Sequence, residues 1–291
     1  MLIKIKKIIR EHIIMYKCFR NISFVILVTI QIAYAEHQFE NTEDWLRAAQ
    51  NPLAPVFSIP VNYTFHGGAN NGDASIFALE PIMPVKLSKI NIINQLSLNF
   101  IDTDGGITGM KELPQLYTSN SATGLADLNF TSYFSPTDTG NIQWGVGPTF
   151  VFPSDYPKRE LGGGKFSAGP AVMFVKQSEL WTVGLKAKQI WSVFGSNGRS
   201  SASQMTLEPF ANYNIGQGWY LMSDMDMIAN WNSNTNNRWT IPVGAGVGKL
   251  FNLNDFAVNS KVAAYYNVER PDQAPEWSMN FSLQFMLPEL F

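Results

Sequence analysis

The chain has 291 residues, of which 45% are hydrophobic and 13% aromatic, so a disordered chain is excluded. Only 15% is charged, well below the roughly one quarter of a typical soluble globular protein, which indicates that surface charge does not keep this chain in aqueous solution. With 21 basic and 23 acidic residues, the net charge of −2 offers no basic surface for a nucleic acid.

Residues 1–35 have the pattern of a secretory signal peptide. Six basic residues come before the apolar run ISFVILVTI, and Ala-Tyr-Ala follows at 33–35, so cleavage is expected after Ala35. The apolar run is well short of the roughly 20 residues that a spanning helix needs, which argues against a membrane anchor. Met15 is an alternative start, since a signal peptide that begins there has an ordinary length.

Cleavage after Ala35 also changes the charge and the redox chemistry of the chain. The only cysteine, Cys18, is removed, so disulfides are not expected in the mature protein. Removing six basic residues and Glu11 from 21 and 23 leaves 15 basic and 22 acidic residues, a net charge of −7. Nucleic acid is therefore not an expected partner.

Residues 36–56 form a separate segment ahead of the first predicted strand. The stretch EDWLRAAQNPLAP predicts one short helix that ends at Asn51-Pro52. Three positions are open to this segment: free in the periplasm, packed on the rim of a barrel, or inside its lumen as a plug. The sequence does not choose among them.

About twelve segments after residue 56 alternate between apolar and polar residues. In WTVGLKAKQIW, Trp181, Val183 and Leu185 fall on one face of a strand, whereas Lys186 and Lys188 fall on the other. Each segment has about 9 to 14 residues, more than the five or six usual in soluble proteins, and a tilted strand needs about 9 to 11 to cross a bilayer. The segments are approximately 57–66, 76–87, 90–100, 125–134, 142–152, 166–176, 180–193, 204–215, 218–231, 238–251, 256–268 and 277–287.

The connections between these segments alternate between short and long. Short ones include Ser88-Lys89 and Gly216-Gln217, and long ones include HGGANNGD and the stretch 102–124. Short periplasmic turns and longer extracellular loops are typical of an outer-membrane barrel with an even number of strands and both termini in the periplasm. The predicted fold is therefore all-β, a closed antiparallel transmembrane β-barrel of about 12 strands over residues 57–291.

Aromatic residues on the apolar face come in pairs near both ends of the segments. Their spacing of eight to twelve residues, at about 3.3 Å per residue and a tilt near 40°, spans roughly 20 to 30 Å. That height matches the apolar band of a membrane barrel between two aromatic girdles. A secreted β-sandwich is the alternative, but it has no reason to repeat such pairs. The predicted girdle consists of Trp144, Phe152, Trp181, Trp191, Trp219, Trp231, Trp239 and Phe251.

The last predicted strand closes on a terminal aromatic residue. In WSMNFSLQFMLPELF one face is apolar from Trp277 to Leu287 and ends on Phe291, although Pro288 and Glu289 interrupt the alternation. Such an end resembles the signal that the barrel-assembly machinery of the outer membrane reads. The barrel-assembly machinery is therefore an expected partner. Outer-membrane lipid and lipopolysaccharide are expected to contact the apolar face, and a small-molecule solute is the expected partner of the lumen.

The face opposite the aromatic residues carries charges of both signs. Charge costs little in a lumen because water or an opposite charge is at hand. Mixed charges favour a narrow, cross-linked interior that passes small solutes, although each charge is equally explained by a salt bridge that only stabilises the barrel. The residues predicted to line the lumen are Glu80, Lys86, Asp127, Asn129, Gln143, Lys186, Lys188, Glu208, Asp224, Asp226 and Lys261.

The sequence offers little catalytic or cofactor chemistry. The mature chain has two histidines, His37 and His66, and His66 at a predicted loop edge is interpreted as solvated. An outer-membrane lipid hydrolase that pairs His66 with a serine is a minor alternative. DTDG at 102–105 lacks the further carboxylates of a calcium loop, and GGGK at 162–165 lacks the spacing of a phosphate-binding loop. The protein is predicted not to be an enzyme and to use no cofactor or metal.

Several phrases of the sequence resemble one bacterial family. They are QNPLA, QWGVGPTFVFP, GGGKFSAGP, EPFANYN, GWYL, RWTIPVGAGVGK and YYNVERPD. The family consists of outer-membrane transporters related to the meta-pathway phenol-degradation proteins, often mislabelled as neuromedin U, and the resemblance extends from about Gln50 to Phe285. It implies a β-barrel with a role in the uptake of small, often apolar, compounds, and it implies no catalytic residues.

The functional prediction is an outer-membrane barrel that passively conducts a small solute, for which the resemblance implies an apolar or aromatic compound. The leading alternative is a non-conducting barrel with a structural or surface-binding role. In that alternative, the apolar residues of the loop 102–124 form a lid, namely Ile107, Met110, Leu113, Leu116 and Tyr117.

Overall fold

The computed structural model describes residues 42–113, 120–154, 161–253 and 256–287. Within these ranges, no helix is long and apolar enough to cross a membrane. The predicted signal peptide lies outside the described residues, as do Leu116 and Tyr117 of the predicted lid and the terminal Phe291.

The described residues form one helix, one short 3₁₀ turn at Thr235–Asn237 and a sheet of fifteen strands. The helix is α1 (Thr42–Ala49), and the strands are β1 (Phe57–Ala69), β2 (Gly72–Leu79), β3 (Ile82–Lys86), β4 (Ile90–Thr103), β5 (Ala122–Leu125), β6 (Leu128–Pro136), β7 (Gln143–Phe152), β8 (Lys165–Gln177), β9 (Trp181–Gly195), β10 (Ser203–Gly216), β11 (Trp219–Asp224), β12 (Met227–Asn230), β13 (Trp239–Leu253), β14 (Phe256–Glu269) and β15 (Trp277–Leu287).

The strands form twelve crossings of the barrel wall, and each crossing pairs with a neighbour on both sides. Three crossings consist of two consecutive strands each: β2 with β3, β5 with β6, and β11 with β12. The first and last strands pair antiparallel from Phe57 opposite Leu287 to Gly67 opposite Trp277, and β9 pairs with β10. The result is a closed antiparallel barrel, which confirms the predicted fold.

Proline explains why one of these crossings is interrupted. Ile228 of β12 lies opposite Thr240 of β13. Continuing this register by two residues places Asp226 beside Pro242, and proline has no N–H to donate to the ladder. On the other side, the backbone N–H of Met225 donates to the carbonyl of Pro209, another residue without an N–H. The chain therefore leaves regular pairing between β11 and β12.

Side chains alternate between the outer and the inner face of the barrel. In β9, the outward Trp181, Val183 and Leu185 are 48%, 37% and 38% exposed, whereas the inward Thr182 is 1% exposed. The same alternation in the other strands leaves large apolar side chains such as Phe281 exposed on the outside. A soluble monomer rarely exposes such a continuous apolar surface, but hydrocarbon covers it in a membrane barrel.

The connections are short at one end of the barrel, called here the short-turn end, and mostly longer at the other, called the loop end. The first connection at the loop end is an exception, so the prediction of a long HGGANNGD loop is wrong. The two strands extend to Ala69 and from Gly72, so only Asn70 and Asn71 join them. Gly72 has a φ of 134°, and a Cβ there would clash with the carboxylate of Asp104, so the tight turn requires glycine.

Candidate functional site in the barrel lumen

The centre of the lumen contains an ion-pair cluster on two adjacent strands. In the register of β9 and β10, Lys186 lies opposite Glu208, and Lys188 lies opposite Thr206. The Glu208 carboxylate forms a close ion pair with Lys186, while its other oxygen lies 3.9 Å from the Lys188 ammonium. The Glu208 side chain is only 7% exposed, so its charge requires this compensation.

A second carboxylate lies beside this cluster at the interruption between β11 and β12. The register from Phe210 opposite Asp224 places Asp226 next to Glu208, so two like charges are neighbours. Lys111, from the loop between β4 and β5, reaches across the lumen, and its ammonium lies 3.1 Å from the Asp226 carboxylate. The loop therefore supplies the cation that the barrel wall lacks at this point.

A separate ion pair joins β11 to β14. The Asp224 carboxylate lies 3.5 Å from the ammonium of Lys261 and accepts a short hydrogen bond from the hydroxyl of Tyr265. Asp224 and Lys261 both come from the predicted lumen set, and they contact each other and not Lys111. The charges of the lumen thus form two groups, of which only one involves the loop.

Glu80 and Asp127 lie at the other two interruptions of the wall. The Glu80 carboxylate accepts hydrogen bonds from the Asn62 amide at 2.6 Å and from the Ser97 hydroxyl at 3.2 Å. The Asp127 carboxylate accepts from the backbone N–H groups of Ser154 at 2.8 Å and Gly163 at 2.7 Å, which fixes the base of the loop between β7 and β8. Each carboxylate is thereby anchored where one strand of the crossing ends and the next begins.

Residues 42–56, called here the N-terminal segment, enter the lumen at the short-turn end, which is one of the three positions left open by the sequence. The side-chain amide of Gln50 donates to Asn214 at 2.8 Å, and its oxygen accepts from Thr182 at 2.9 Å. The amide of Asn51 donates to Gln143 at 2.6 Å and to Gln177 at 3.3 Å. These four partners come from four different strands, so the segment is tied to much of the barrel circumference.

Apolar packing completes the insertion of the N-terminal segment. Trp45, Leu46 and Val56 lie in one buried cluster with inward residues of the barrel, namely Tyr220, Met222, Leu250, Ala257, Ala263 and Met286. Leu53 lies in a second cluster with Ile93, Tyr133, Ala171, Met173, Val175 and Phe210. At the short-turn end, the inward faces of the strands thus form a hydrophobic core around the segment.

Residues 104–113, called here the inward loop, fold into the lumen from the loop end. The backbone N–H of Thr108 donates to the carbonyl of Gln273, and the Gln204 amide donates to the carbonyl of Lys111 at 3.2 Å. The apolar residues of the loop, which the sequence marks as lid candidates, pack in a third buried cluster. That cluster contains Ile107, Met110 and Leu113 with Ala74, Ile76, Ile101, Ala122, Ala126 and Leu161.

A cavity of about 100 Å³ lies in the lumen beside the inward loop. The predicted residues Glu80, Asp127, Asn129, Lys188 and Glu208 line it, together with Lys111 and Glu112, which are absent from the predicted set. Lys111 and Glu112 carry no period-two signal because they lie in a loop, and only the excess of apolar residues around them marks the loop as inward. Eight of the remaining lining residues have hydroxyl or amide side chains, namely Ser97, Asn99, Thr149, Ser167, Ser192, Ser200, Gln204 and Thr206, and Val151, Ile190 and Ala202 add apolar surface.

Six predicted lumen residues do not line this cavity. Lys186, Asp224, Asp226 and Lys261 belong to the ion pairs described above, whereas Gln143 and Lys86 lie at the short-turn end. Gln143 lies at the short-turn end and contacts the N-terminal segment through Asn51. Lys86 has the inward parity, opposite Asn91 in the register with β4, but it is exposed at the end of β3 beside a short turn. Both residues therefore belong to the short-turn end of the barrel and not to the lining of the cavity.

The predicted girdle residues lie on the outer face near the strand ends. Trp231 and Trp239 pack edge to face with ring centroids 5.8 Å apart, and Trp239 is the half-buried member of the set. The exposed members are Trp144, Phe152, Trp181, Trp191, Trp219, Trp231 and Phe251. The outer surface therefore has aromatic side chains near the ends of its strands.

The position of His66 differs from its predicted loop edge. His66 lies within β1, at an inward position opposite Ser278 of β15, because this strand continues to Ala69. In the described part of the chain, no three His, Cys, Asp or Glu side chains are grouped to hold a metal ion.

Comparison with known proteins supports the fold. No protein-family model matches this chain, and no curated protein matches it. The COG4313 outer membrane channel from Pseudomonas putida F1 aligns with a TM-score of 0.56 and 16% identity, over 88% of this chain and 99% of that chain. The NanC porin aligns with a TM-score of 0.49 and 9% identity, over 79% of this chain and 98% of that chain. Outer membrane phospholipase A from Escherichia coli aligns with a TM-score of 0.43 and 11% identity, over 86% of this chain and 99% of that chain. The alignment with the Pseudomonas channel shows that this chain has the fold of an outer-membrane channel barrel.

Proposed function

We propose that this protein is an outer-membrane channel that conducts a small solute through its lumen. The observation that carries the proposal is the combination of an apolar outer surface with a polar, charged cavity inside a closed barrel. The short-turn end faces the periplasm and the loop end faces the exterior, as in other barrels of this kind. The resemblance to the phenol-degradation-related transporters supports the same role.

Conduction requires movement of two parts of the chain. The N-terminal segment occupies the lumen at the periplasmic end, and the inward loop crosses it near the exterior. The structure therefore corresponds to a closed state, and passage of a solute needs at least one of these parts to shift. Channel gating by loops of low local stability is a common way to provide such movement.

The lining of the cavity favours a polar solute. Apolar or aromatic compounds, which the family resemblance implies, would displace water from the charged side chains of Glu80, Asp127 and Lys188 and offer them no compensating contact. Most apolar residues of the lumen are packed in the three buried clusters, and among the described residues only Val151, Ile190 and Ala202 give the cavity apolar side chains. We therefore favour a polar solute over an apolar one.

Two partner surfaces complete the proposal. The aromatic girdles contact outer-membrane lipid and lipopolysaccharide. The barrel-assembly machinery engages β15, the strand that closes the barrel by pairing with both β14 and β1.

Conductance in planar lipid bilayers tests the channel proposal. The mature protein should give discrete current steps, whereas the same protein after heat denaturation should give none. The non-conducting alternative is favoured by the double obstruction of the lumen. Persistent silence from a barrel that still shows the heat-modifiable mobility of a folded β-barrel would establish that alternative.

A further inference from the structure

The charges around the cavity are separated by sign. Lys165 of β8 and Lys188 of β9 line one side, while Glu80 and Asp127 come from the crossings formed by β2 with β3 and by β5 with β6. Three lining charges do not follow this division, and each is compensated within the protein. Glu208 forms the close ion pair with Lys186, and Lys111 of the inward loop lies 3.1 Å from Asp226 and 4.0 Å from Glu112. The cavity therefore has a cationic side and an anionic side.

The cationic side presents polar groups that have no hydrogen-bond partner among the described residues. Lys188 and Thr206 are direct neighbours across the pair of β9 and β10, and both line the cavity. The nearest carboxylate oxygen is 3.9 Å from the Lys188 ammonium, beyond hydrogen-bond distance, and the Lys188 side chain is only 28% exposed. An ammonium and a hydroxyl side by side are well placed to donate to one acceptor group.

The anionic side is available to a cationic donor. Glu80 is held by Asn62 and Ser97, and both of these partners are neutral, so the hydrogen bonds fix the carboxylate without cancelling its charge. A carboxylate has about four acceptor sites, of which these bonds use two. A ligand ammonium can therefore add to Glu80 without displacing its present partners.

We infer that the cavity binds a small zwitterion, an amino acid of about six non-hydrogen atoms. The carboxylate of the ligand accepts from Lys188 and Thr206, and its ammonium faces Glu80. The size follows from the volume of about 100 Å³, because an engineered cavity of roughly 150 Å³ holds benzene. This inference rests on the proposed channel function and adds the class of solute to it.

Electrostatics disfavours solutes that carry only one charge. A lone anion gains from Lys188 but is repelled by Glu80, Asp127 and Glu112, and a lone cation is repelled by Lys165 and Lys188. A neutral polyol uses the hydroxyl groups of the lining but leaves the Lys188 charge without a counter-charge. A zwitterion gains at both sides of the cavity at once.

Influx into proteoliposomes tests the inference with four solutes of similar size: alanine, lactate, 1-amino-2-propanol and glycerol. After the rates of protein-free liposomes are subtracted, alanine should enter faster than each of the others by about tenfold, which corresponds to roughly 1.4 kcal/mol of differential interaction. Lys188→Gln should remove most of this preference, and Thr206→Val, which keeps the volume, should reduce it. Lys249→Gln is the matched control, since Lys249 lies on the outer face over the Trp219 ring.

The outcomes separate this inference from the channel proposal. Equal entry of all four solutes, or faster entry of lactate or glycerol, overturns the zwitterion site and leaves the channel in place. No entry of any solute overturns both. A loss of preference in Lys249→Gln equal to that in Lys188→Gln also overturns the site, because it shows that the effect does not arise in the cavity. Heat-modifiable mobility shows whether each variant is folded.

Discussion

The two obstructions of the lumen are held in place in different ways. The N-terminal segment has apolar contacts in two buried clusters and side-chain hydrogen bonds to four strands through Gln50 and Asn51. The inward loop has one buried cluster, and the ion pair that ties it to the barrel wall joins Lys111 to Asp226. The attachment of the segment is distributed over neutral contacts. That of the loop also includes hydrogen bonds with Gln273 and Gln204, but it contains one ion pair whose loss leaves a charge without its partner on the wall.

This difference indicates where a gate is most easily operated. Distributed contacts resist the loss of any single partner, because the others remain and their energies are only partly coupled. The ion pair of Lys111 with Asp226 is a single contact, and its two side chains are 36% and 41% exposed, so water screens the charge left by removal of one partner and the cost stays below that of a fully buried pair. A single substitution at this pair should therefore affect the loop more than a single substitution affects the segment.

Removal of the whole N-terminal segment should have the largest effect. A mature chain that begins at Phe57 keeps every strand of the barrel but loses the side chains that fill the short-turn end. We expect a severalfold rise in single-channel conductance in planar bilayers. A folded, heat-modifiable truncated barrel with the conductance of the full-length protein would show that the inward loop alone closes the lumen.

Asp226→Asn should have the next largest effect. The substitution removes the charge that ties Lys111 to the barrel wall and leaves it only the Glu112 carboxylate of its own loop, 4.0 Å away. The inward loop should therefore leave the lumen more often and the conductance should rise, by less than in the truncated protein. Because the sequence has one cysteine, Cys18, which lies in the predicted signal peptide, Met110→Cys can report this movement through faster labelling by a water-soluble thiol reagent.

Asp224→Asn is the matched control for that experiment. Asp224 lies two residues away in the chain, but it pairs with Lys261 and Tyr265 and not with the loop. Equal labelling of the Met110→Cys thiol in both backgrounds would mean that general loosening of the wall, and not the Lys111 pair, controls the loop.

The barrel itself could be predicted from the sequence because its signal is local. Alternation within a strand places Lys186 and Lys188 on one face whatever the rest of the chain does. The interruptions at Glu80, Asp127 and Asp226 do not disturb that alternation in the sequence. The interruption at Asp226 depends on prolines of neighbouring strands, Pro209 and Pro242, whose pairing is known only once the register is known.

The closure of the lumen could not be predicted because its contacts are distant in the chain. Asn51 bonds to Gln143, 92 residues away, and Gln50 bonds to Asn214, 164 residues away. Lys111 likewise finds Asp226 across the barrel. The residue pattern marks the N-terminal segment as a helix and the inward loop as apolar, but only the folded barrel determines which side chains they meet.

Asn51→Ala should have a small effect, in contrast to Asp226→Asn. The substitution removes three hydrogen bonds of the Asn51 side chain, two to the barrel wall and one from the backbone N–H of Leu53, which are worth about 0.5 to 1.5 kcal/mol each. The apolar contacts of Trp45, Leu46 and Leu53 and the hydrogen bonds of Gln50 remain. We expect slightly lower stability in urea unfolding from lipid vesicles and an unchanged conductance. A conductance like that of the truncated protein would contradict the distributed attachment of the segment.

The pH dependence of the inward loop should be the smallest effect. Burial raises the pKa of the Glu112 carboxyl from its ordinary value of 4.5 to about 7, although the neighbouring Lys111 ammonium lowers it. The pKa of Glu112 is raised only while the loop lies inside the lumen, so protonation of Glu112 stabilises the loop in that place. This stabilisation is fully present below pH 4.5 and is lost as the pH rises through about 7. The loop should therefore be released more often in alkaline than in acidic solution.

Conductance should rise modestly between about pH 5.5 and about pH 8.5, two values on either side of the raised pKa of Glu112. The rise should be absent in Glu112→Gln, because glutamine is neutral at both pH values. The increase stays below about tenfold, since a full tenfold change would need roughly 1.4 kcal/mol of net difference between the two positions of the loop. If the rise persists in Glu112→Gln, the titrating group lies elsewhere in the lumen. If conductance falls with pH only in the protein with Glu112, then ionised Glu112 stabilises the inward loop through Lys111, and the ion pair is stronger than the effect of burial.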